Sequence, residues 1–456
     1  MGASSSGKRC LTFFLLGLIL AAGPLSVAGQ ALGQQTRTDD SPSVARYVDK
    51  LTGMTADEAV TYALAHNGEL LAARKEIEAA EALVKQAGLR SNPKLDVDGA
   101  RQINGKDNSI MATAMLPLEL GGRRPARIAV AQRELEVRRH EVADRERLLA
   151  AEVRMKFGET LAQALKLAFT EELLAINRRG YDLIAARVGE GATAPLEQNM
   201  ALVELNRLRS MRENVEGKLE VLTLELRNLI GMPPEEPLRL RGDFSNLLDP
   251  PAPIAIETER ALRERPDLLA VRAMENLAEA RIEQARAAGR LDASVLAGYE
   301  RMNSSFPVFA VNEQGQLQPV QDVFHFLKFG ISLDLPVRNK NQGAIEAALV
   351  ETEAARQRRE FAELTVRREV AAAYAQYGSA ARAMEIFRVG VRDQAKANLD
   401  VVRQTYELGS KTLLDYIAEQ RRFIELENDF IDAQLATYSA RVQIERATAS
   451  PELIKK

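Results

Sequence analysis

The residues able to do chemistry are few and scattered. His66, His140 and His325 are the only histidines, and none stands at metal-ligand spacing from another. Cys10 is the sole cysteine, which leaves no intrachain disulfide and no cysteine cluster for a metal. No strand is followed by the Gly-rich Lys-Ser pattern of a phosphate loop, and no nucleophile stands beside a base. Met111 and Met115 fall on one face of an alternating segment. Thioethers can touch a soft metal, but packing is their commoner use. No cofactor or resident metal is therefore expected, and an enzyme is disfavoured. What remains is electrostatic. Glu197 and Asp415 recur at matching places in two copies of one pattern. Carboxylates gathered around an opening raise a negative field that favours cations over anions. Taken singly, the same residues would be solvated helix caps or ion-pair partners.

That pattern is an internal duplication. Glu69-Leu70-Leu71-Ala72-Ala73-Arg74 returns as Asp267-Leu268-Leu269-Ala270-Val271-Arg272, and Gln86-Ala87 as Gln284-Ala285. Leu116, Leu118, Leu120 and Ile128 align with Leu333, Leu335, Val337 and Ile345. Gly191, Leu196 and Glu197 align with Gly409, Leu414 and Asp415. Each copy reads helix, strand, strand, very long helix, turn, long helix. Helices are expected at 55–65 and 68–90, and Asn92-Pro93 ends the second. Strands are expected at 94–103 and 109–120, where Leu95, Val97 and Gly99 alternate with Asp96 and Asp98 around a hairpin at Asn104-Gly105. The second copy places strands at 292–302 and 322–336, with a solvated loop at 303–321. Helices at 122–188 and 344–407 would each reach roughly 90–100 Å if unbroken, with Pro125, Gly158, Gly180 and Gly390 as points of bending. Leu208, Val215, Leu222 and Leu229 lie seven apart, as do Ile417, Ile424, Ile431 and Tyr438, the spacing of coiled-coil seams.

Lys8 and Arg9 precede an apolar run from Leu11 to Ala22, and Ser26-Val27-Ala28 offers a cleavage site, so 1–28 reads as an export signal. Cys10 precedes that run, and no N-terminal lipid anchor is expected. The formal charge of −3 becomes −5 once Lys8 and Arg9 are lost, with Lys and Arg interleaved among Glu, and nothing points to nucleic acid. No later segment approaches the ~18 apolar residues of a membrane helix. Strands could still span a bilayer, because their hydropathy signal is weak. Four of them cannot close a barrel, since about eight are needed, and an open edge in hydrocarbon leaves backbone groups unpaired. Membrane insertion would thus require several chains to share one barrel.

At this point the residues resemble a known family over nearly all of the chain. Leu70-Leu71-Ala72-Ala73 and its repeat, Pro117-Leu118-Glu119-Leu120-Gly121-Gly122-Arg123-Arg124, Asn339-Lys340-Asn341-Gln342-Gly343 and Tyr406-Glu407-Leu408-Gly409-Ser410-Lys411-Thr412-Leu413-Leu414-Asp415 resemble the TolC-type outer membrane factors. The Glu-Leu-Gly-Gly and Asn-Gln-Gly segments look most like the CzcC and CusC heavy-metal-efflux branch. The resemblance implies a mainly α protein with a membrane β-barrel part. It implies a homotrimer that builds a shared twelve-stranded barrel in outer-membrane lipid above a periplasmic α-helical tunnel. It also implies partners: a periplasmic adaptor and an inner-membrane RND-type transporter. On the same ground Glu197, Tyr406, Lys411 and Asp415 are expected at a periplasmic gate, and Gly191 and Gly409 at the helix-tip turns where an adaptor docks. Leu196 replaces a usual polar partner and Ala418 stands where a second acid can occur, so the gate would be weaker or wired differently. Gly121, Gly122, Asn341 and Gly343 are expected as strand-to-helix turns.

The organisation expected is a signal at 1–28, an N-terminal extension at 29–51, repeats at 52–231 and 257–447, a connector at 232–256 and a tail at 448–456. The alternative is a periplasmic coiled-coil adaptor or scaffold. Adaptors nest one helical hairpin between β-domains, whereas here helices and strands repeat in tandem.

Overall fold

The computed structural model describes residues 43–245 and 248–454; the signal segment and the extension up to residue 42 lie outside the described residues. Helices begin where local chemistry satisfies their first amides. Thr55 and Glu58 form a reciprocal capping box for α1 (Ala56–His66), and the Asn67 side chain caps α2 (Gly68–Gly88). After strands β1 (Lys94–Arg101) and β2 (Asn108–Pro117) comes α3 (Arg123–Gly189), whose 67 residues extend ~100 Å. Pro195 opens α4 (Pro195–Ile230), and Pro266 opens α6 (Pro266–Ala288) directly after α5 (Ile254–Glu264). Strands β3 (Asp292–Val311) and β4 (Leu317–Asp334) lead into α7 (Gln342–Ile386). A π turn at Phe387–Val391 separates α7 from α8 (Arg392–Glu407), and α9 (Leu413–Thr448) follows.

The spine of this arrangement is α3. Its first half packs Val130 and Val137 on Ala273 and Leu277 of α6, and Val142 on Leu70 and Ala73 of α2. Its second half joins Leu173 to Leu208 of α4 and Ile424 of α9. In α4 the buried row runs through Leu208, Leu219 and Leu226, while Leu222 and Leu229 are half-buried. In α9 Ile417, Ile424 and Ile431 are buried and Tyr438 is half-buried. Gly158 lies in continuous helix; a Cβ there would come within 2.5 Å of the Tyr438 ring, so glycine permits the close approach of α9. Pro125 sits harmlessly in the first turn of α3, and Gly180 lies in unbroken helix. Around the middle, residues 43–54 wrap against the connector: Val48 and Met54 bridge to Leu240, and Val44, Tyr47 and Val48 pack on Leu167 and Leu219.

The four strands form one antiparallel sheet in the order β1-β2-β3-β4. Register places Leu95–Ala114–Ala297–Phe329 and Val97–Ala112–Tyr299–Leu327 in rows across one face. The other face carries Asp96, Asp98, Thr113, Glu300 and Lys328, with Met111, Met115 and Met302 among them. Three expectations need correction. The segment 303–321 is strand rather than loop: β3 and β4 run on through it, with a bulge between Ser305 and Phe309, and turn at Asn312–Gln316 around Gly315. Its Ser, Gln and Asn content is that of a solvated hairpin, whose backbone pairs all the same. Strands β1 and β2 in turn stop short: β1 at Arg101, where the Gln102–Asp107 turn begins, and β2 at Pro117, beyond which Glu119, Gly121 and Gly122 turn left-handed. The long helix expected at 344–407 is interrupted at the π turn, which contains Gly390.

The π turn has a countable cause. Val153 and Val370 are equivalent and both fully buried, as are Leu167 and Met384, at the same spacing as Ile128 and Ile345. Gly191 and Gly409 are spaced one residue further apart. The second copy thus holds one extra residue, and a π turn is how a helix absorbs one. Immediately after it, Arg392 grips Glu427 of α9 at 2.8 Å and lies over the Phe430 ring.

Both copies end their last helix in a six-to-one turn, at Gly231 (φ 80°) and at Ala449 (φ 49°). A side chain in that conformation costs about 1–2 kcal/mol. Ala449→Gly should therefore raise stability by about 1 kcal/mol. The reverse change, Gly231→Ala, should lower it by about 2 kcal/mol or more, because its Cβ would meet the His66 carbonyl at 2.4 Å. Thermal unfolding of the two variants in detergent should shift in opposite directions; equal shifts would contradict the assignment.

Candidate functional site

Two regions carry the chemistry: the hairpin tips and the sheet with its junction to the helices. At the first tip, Ala192 donates its amide to the Arg187 carbonyl at 2.8 Å and Gly191 donates to Val188 at 3.0 Å. At the second, Ser410 donates to Thr405 and Gly409 to Tyr406, each at 2.9 Å. Gly191 and Gly409 hold φ of 72° and 76°, so the duplication has kept one turn twice. Both glycines are exposed with open space around them.

Tyr406, near the end of α8, donates its hydroxyl to Glu197 Oε2 of α4 at 3.2 Å, so the two hairpins are tied to each other. The Tyr406 ring stacks on Tyr416 with centroids 6.0 Å apart and planes 9° off parallel. Beneath them Ile184, Leu413 and Ile417 form a small buried cluster. Burial, then the neighbouring Glu197 carboxylate, pushes the Tyr406 phenol up to about 12. Asp415 does not join Tyr406. Its Oδ2 accepts from the Thr412 amide at 3.0 Å and hydroxyl at 2.8 Å, closing a capping box at the start of α9. Those bonds, the amide first, hold its carboxyl below the ordinary range. Lys411 is exposed and makes no side-chain ion pair with either acid. Tyr416 and Thr412 were not singled out from sequence, although Thr412-Leu413-Leu414-Asp415 carries the spacing of a capping box. A deeper tie also went unread: Glu204 of α4, almost fully buried, bridges Arg207 and Arg421 of α9 at 2.6 Å each.

At the junction, Gly121 and Gly122 hold φ of 72° and 83°. A Cβ on Gly121 would come within 2.7 Å of Arg290 Cβ, so the turn needs glycine for space as well as conformation. The following arginines close the ends of other helices. Arg123 donates to the Ala288 carbonyl at 3.1 Å, and Arg124 and Arg127 donate to Gly88 and Ala87 at 2.7 and 2.9 Å. In the second copy Asn341, at φ 61°, donates its side-chain amide to Ala285 at 2.8 Å. Gly343 is a correction: it lies inside the first turn of α7 and not in the strand-to-helix turn.

The sheet presents a continuous apolar face. Leu95, Val97, Val295, Leu327, Phe329, Ile331 and Leu333 are all exposed, Phe329 by 81%. From Leu327 through Leu333 of β4 to Leu335 just past its end, the alternate side chains cover ~20 Å at typical tilt, near the ~25 Å apolar band of a membrane barrel. Among the described residues, strands β1 and β4 each have one edge without a partner. Among the described residues no helix is long and apolar enough to cross a membrane, and no group of three or more His, Cys, Asp or Glu is placed to hold a metal.

These features have known counterparts. The family model for outer membrane efflux proteins matches residues 59–232 and 258–450. The chain is 23% identical over 395 residues to the cobalt-zinc-cadmium resistance protein CzcC of Cupriavidus metallidurans, covering 86% of this chain and 89% of that one. The crystal structure of CusC superposes with a TM-score of 0.71 at 18% identity, covering 86% of this chain and 91% of that chain. The outer-membrane channel OprN follows at 0.68 and 18%, covering 91% and 96%. The structural likenesses show a shared fold, and the family match spans both halves of the duplication, which decides between channel and adaptor. The chain belongs to the outer membrane efflux protein family.

Proposed function

We propose that this efflux channel works as a homotrimer, whose three sheets join edge to edge into one twelve-stranded barrel in the outer membrane. The observation that carries this reading is the four-stranded sheet with two unpaired edges and an exposed apolar face. In hydrocarbon those edges must find partners, and identical copies supply β4 to β1 in turn. The polar face, with Asp96, Asp98 and Glu300, then lines the lumen. The helices continue the duct through the periplasm, and the tips at Gly191 and Gly409 meet a periplasmic adaptor that couples it to an RND-type inner-membrane transporter. The chain itself is a passive conduit without catalysis, and the likeness to CzcC supports heavy-metal cations as the cargo.

At the periplasmic end we assign Glu197, Tyr406, Lys411 and Asp415 to the gate. Tyr406 holds the α8–α9 hairpin to α4 through Glu197, and Asp415, repeated by symmetry, sets a negative ring.

Purified protein in planar bilayers should give trimeric pores; the absence of any conductance, open or gated, would count against the duct. Asp415→Asn should lower the preference for cations, and unchanged ion selectivity would reject the ring. Tyr406→Phe keeps the stacking but loses the hydrogen bond, worth about 1 kcal/mol, and should raise open probability about fivefold. Burial of Tyr406 beside the Glu197 carboxylate fixes a pH response. A phenol raised above its unfolded value stabilises the tip fully below pH 10, and the contribution disappears between pH 10 and about 12. Opening should rise over that window in the parent and not in Tyr406→Phe.

A further inference from the structure

The two ends of the apolar face treat their arginines differently. At the end nearest the helices, Arg123 pairs with Asp292 at 3.0 Å and Arg127 with Glu119 at 2.8 Å. At the far end, register puts Arg301 of β3 in the row Gly99–Ile110–Arg301–His325, and Arg101 of β1 in the next row opposite Asn108. Both arginines are exposed, and their side chains make neither ion pair nor hydrogen bond in the structure. No acid shares these rows. Asp107, in the turn after β1, accepts from the Ser305 amide at 2.8 Å, and Glu300 faces the opposite side, paired with Lys328. Beside Arg301, the His325 Nδ1 and Tyr299 hydroxyl are hydrogen-bonded at 2.6 Å.

Resting on the barrel reading, we propose that this rim is a binding site for the phosphates of an outer-leaflet glycolipid, phosphorylated lipid A, held by Arg101 and Arg301 with Tyr299 and His325 alongside. The argument is one of position and charge. The rows just below are the apolar band that would meet acyl chains, so the rim lies at headgroup depth on the side facing away from the helices. An arginine is tolerated at that boundary, and a phosphate satisfies its planar fork in two parallel hydrogen bonds. Arg101 and Arg301 stand two strands and one row apart, about 12 Å between backbones, with Asn108 and Ile110 of β2 between them. The paired Tyr299 and His325 add an aromatic edge of the kind that sits at membrane interfaces.

The test is native mass spectrometry of the full-length trimer titrated with bis-phosphorylated lipid A, with bilayer conductance measured on the same preparations. The Arg101→Ala/Arg301→Ala variant should bind at least about tenfold more weakly, the scale of one charge-assisted hydrogen bond. Arg301→Lys should fall between, and Lys94→Ala, which removes one positive charge from the opposite face, should match the parent. Phosphatase-treated lipid A should bind the parent no better than intact lipid A binds the double variant. Equal binding by parent and double variant, both conducting, would overturn the site while leaving the barrel intact. Full displacement by inorganic phosphate would overturn the glycolipid assignment. A parent that neither inserts nor conducts would overturn the barrel reading instead.

Discussion

A β-strand edge with no partner is the constraint from which the rest of this molecule follows. The sheet has four strands and two free edges, and one face of it is exposed leucine, valine, isoleucine and phenylalanine. Water is a poor solvent for that face, and hydrocarbon is a poor solvent for those edges. A single chain can satisfy one requirement or the other. On the barrel reading proposed above, copies joined edge to edge satisfy both, which makes oligomerisation a condition of solvation. The long helices inherit the geometry, since each strand pair hands its chain to helices that must stand side by side beneath it.

The handover is where the sequence spends its arginines. Helices α2 and α6 end pointing at the sheet, and their last carbonyls would face a crowded junction without donors. Arg123, Arg124 and Arg127 reach back from the start of α3 to Ala288, Gly88 and Ala87. This is the physical content of the Gly121-Gly122-Arg123-Arg124 motif: the glycines turn the chain, and the arginines close the two helices that flank it. The second copy solves the same problem with Asn341, whose left-handed backbone makes the turn and whose amide closes α6. Two solutions of unlike composition occupy equivalent places, which is why Gly343 looked like a turn residue when read by analogy with Gly122 and proved to be helical.

Much of the architecture was legible because it is periodic. The alternation of Leu95, Val97 and Gly99 with Asp96 and Asp98, and the buried Ile417, Ile424 and Ile431, are the kinds of regularity that packing enforces and a reader can count. The extensions of β3 and β4 were not legible, since beyond the apolar band both faces meet water and the alternation that marks a strand disappears. The interruption of α7 sat in the numbering: the copies slip by one residue between Leu167/Met384 and Gly191/Gly409. Locating the slip at Phe387–Val391 needed three dimensions, because helix propensity is indifferent to one added residue. Glu204 and its two arginines were illegible for a similar reason. Charged residues are abundant throughout, and only packing reveals which one is buried.

The tips show how duplication yields unequal parts. The turns at Gly191 and Gly409 share hydrogen bonds and backbone angles, yet the equivalent acids beyond them are held by different means. Asp415 is bound within its own helix by Thr412, which sets its position and keeps it ionised whatever the neighbouring hairpin does. Glu197 has Ala194 where the other copy has Thr412, no side-chain cap, and a partner on the other hairpin instead. Separating the hairpins would therefore release Glu197 to water and leave Asp415 where it was. One carboxylate reports contact between the copies and the other supplies a fixed charge, a division of labour that a single substitution at the N-cap is enough to create.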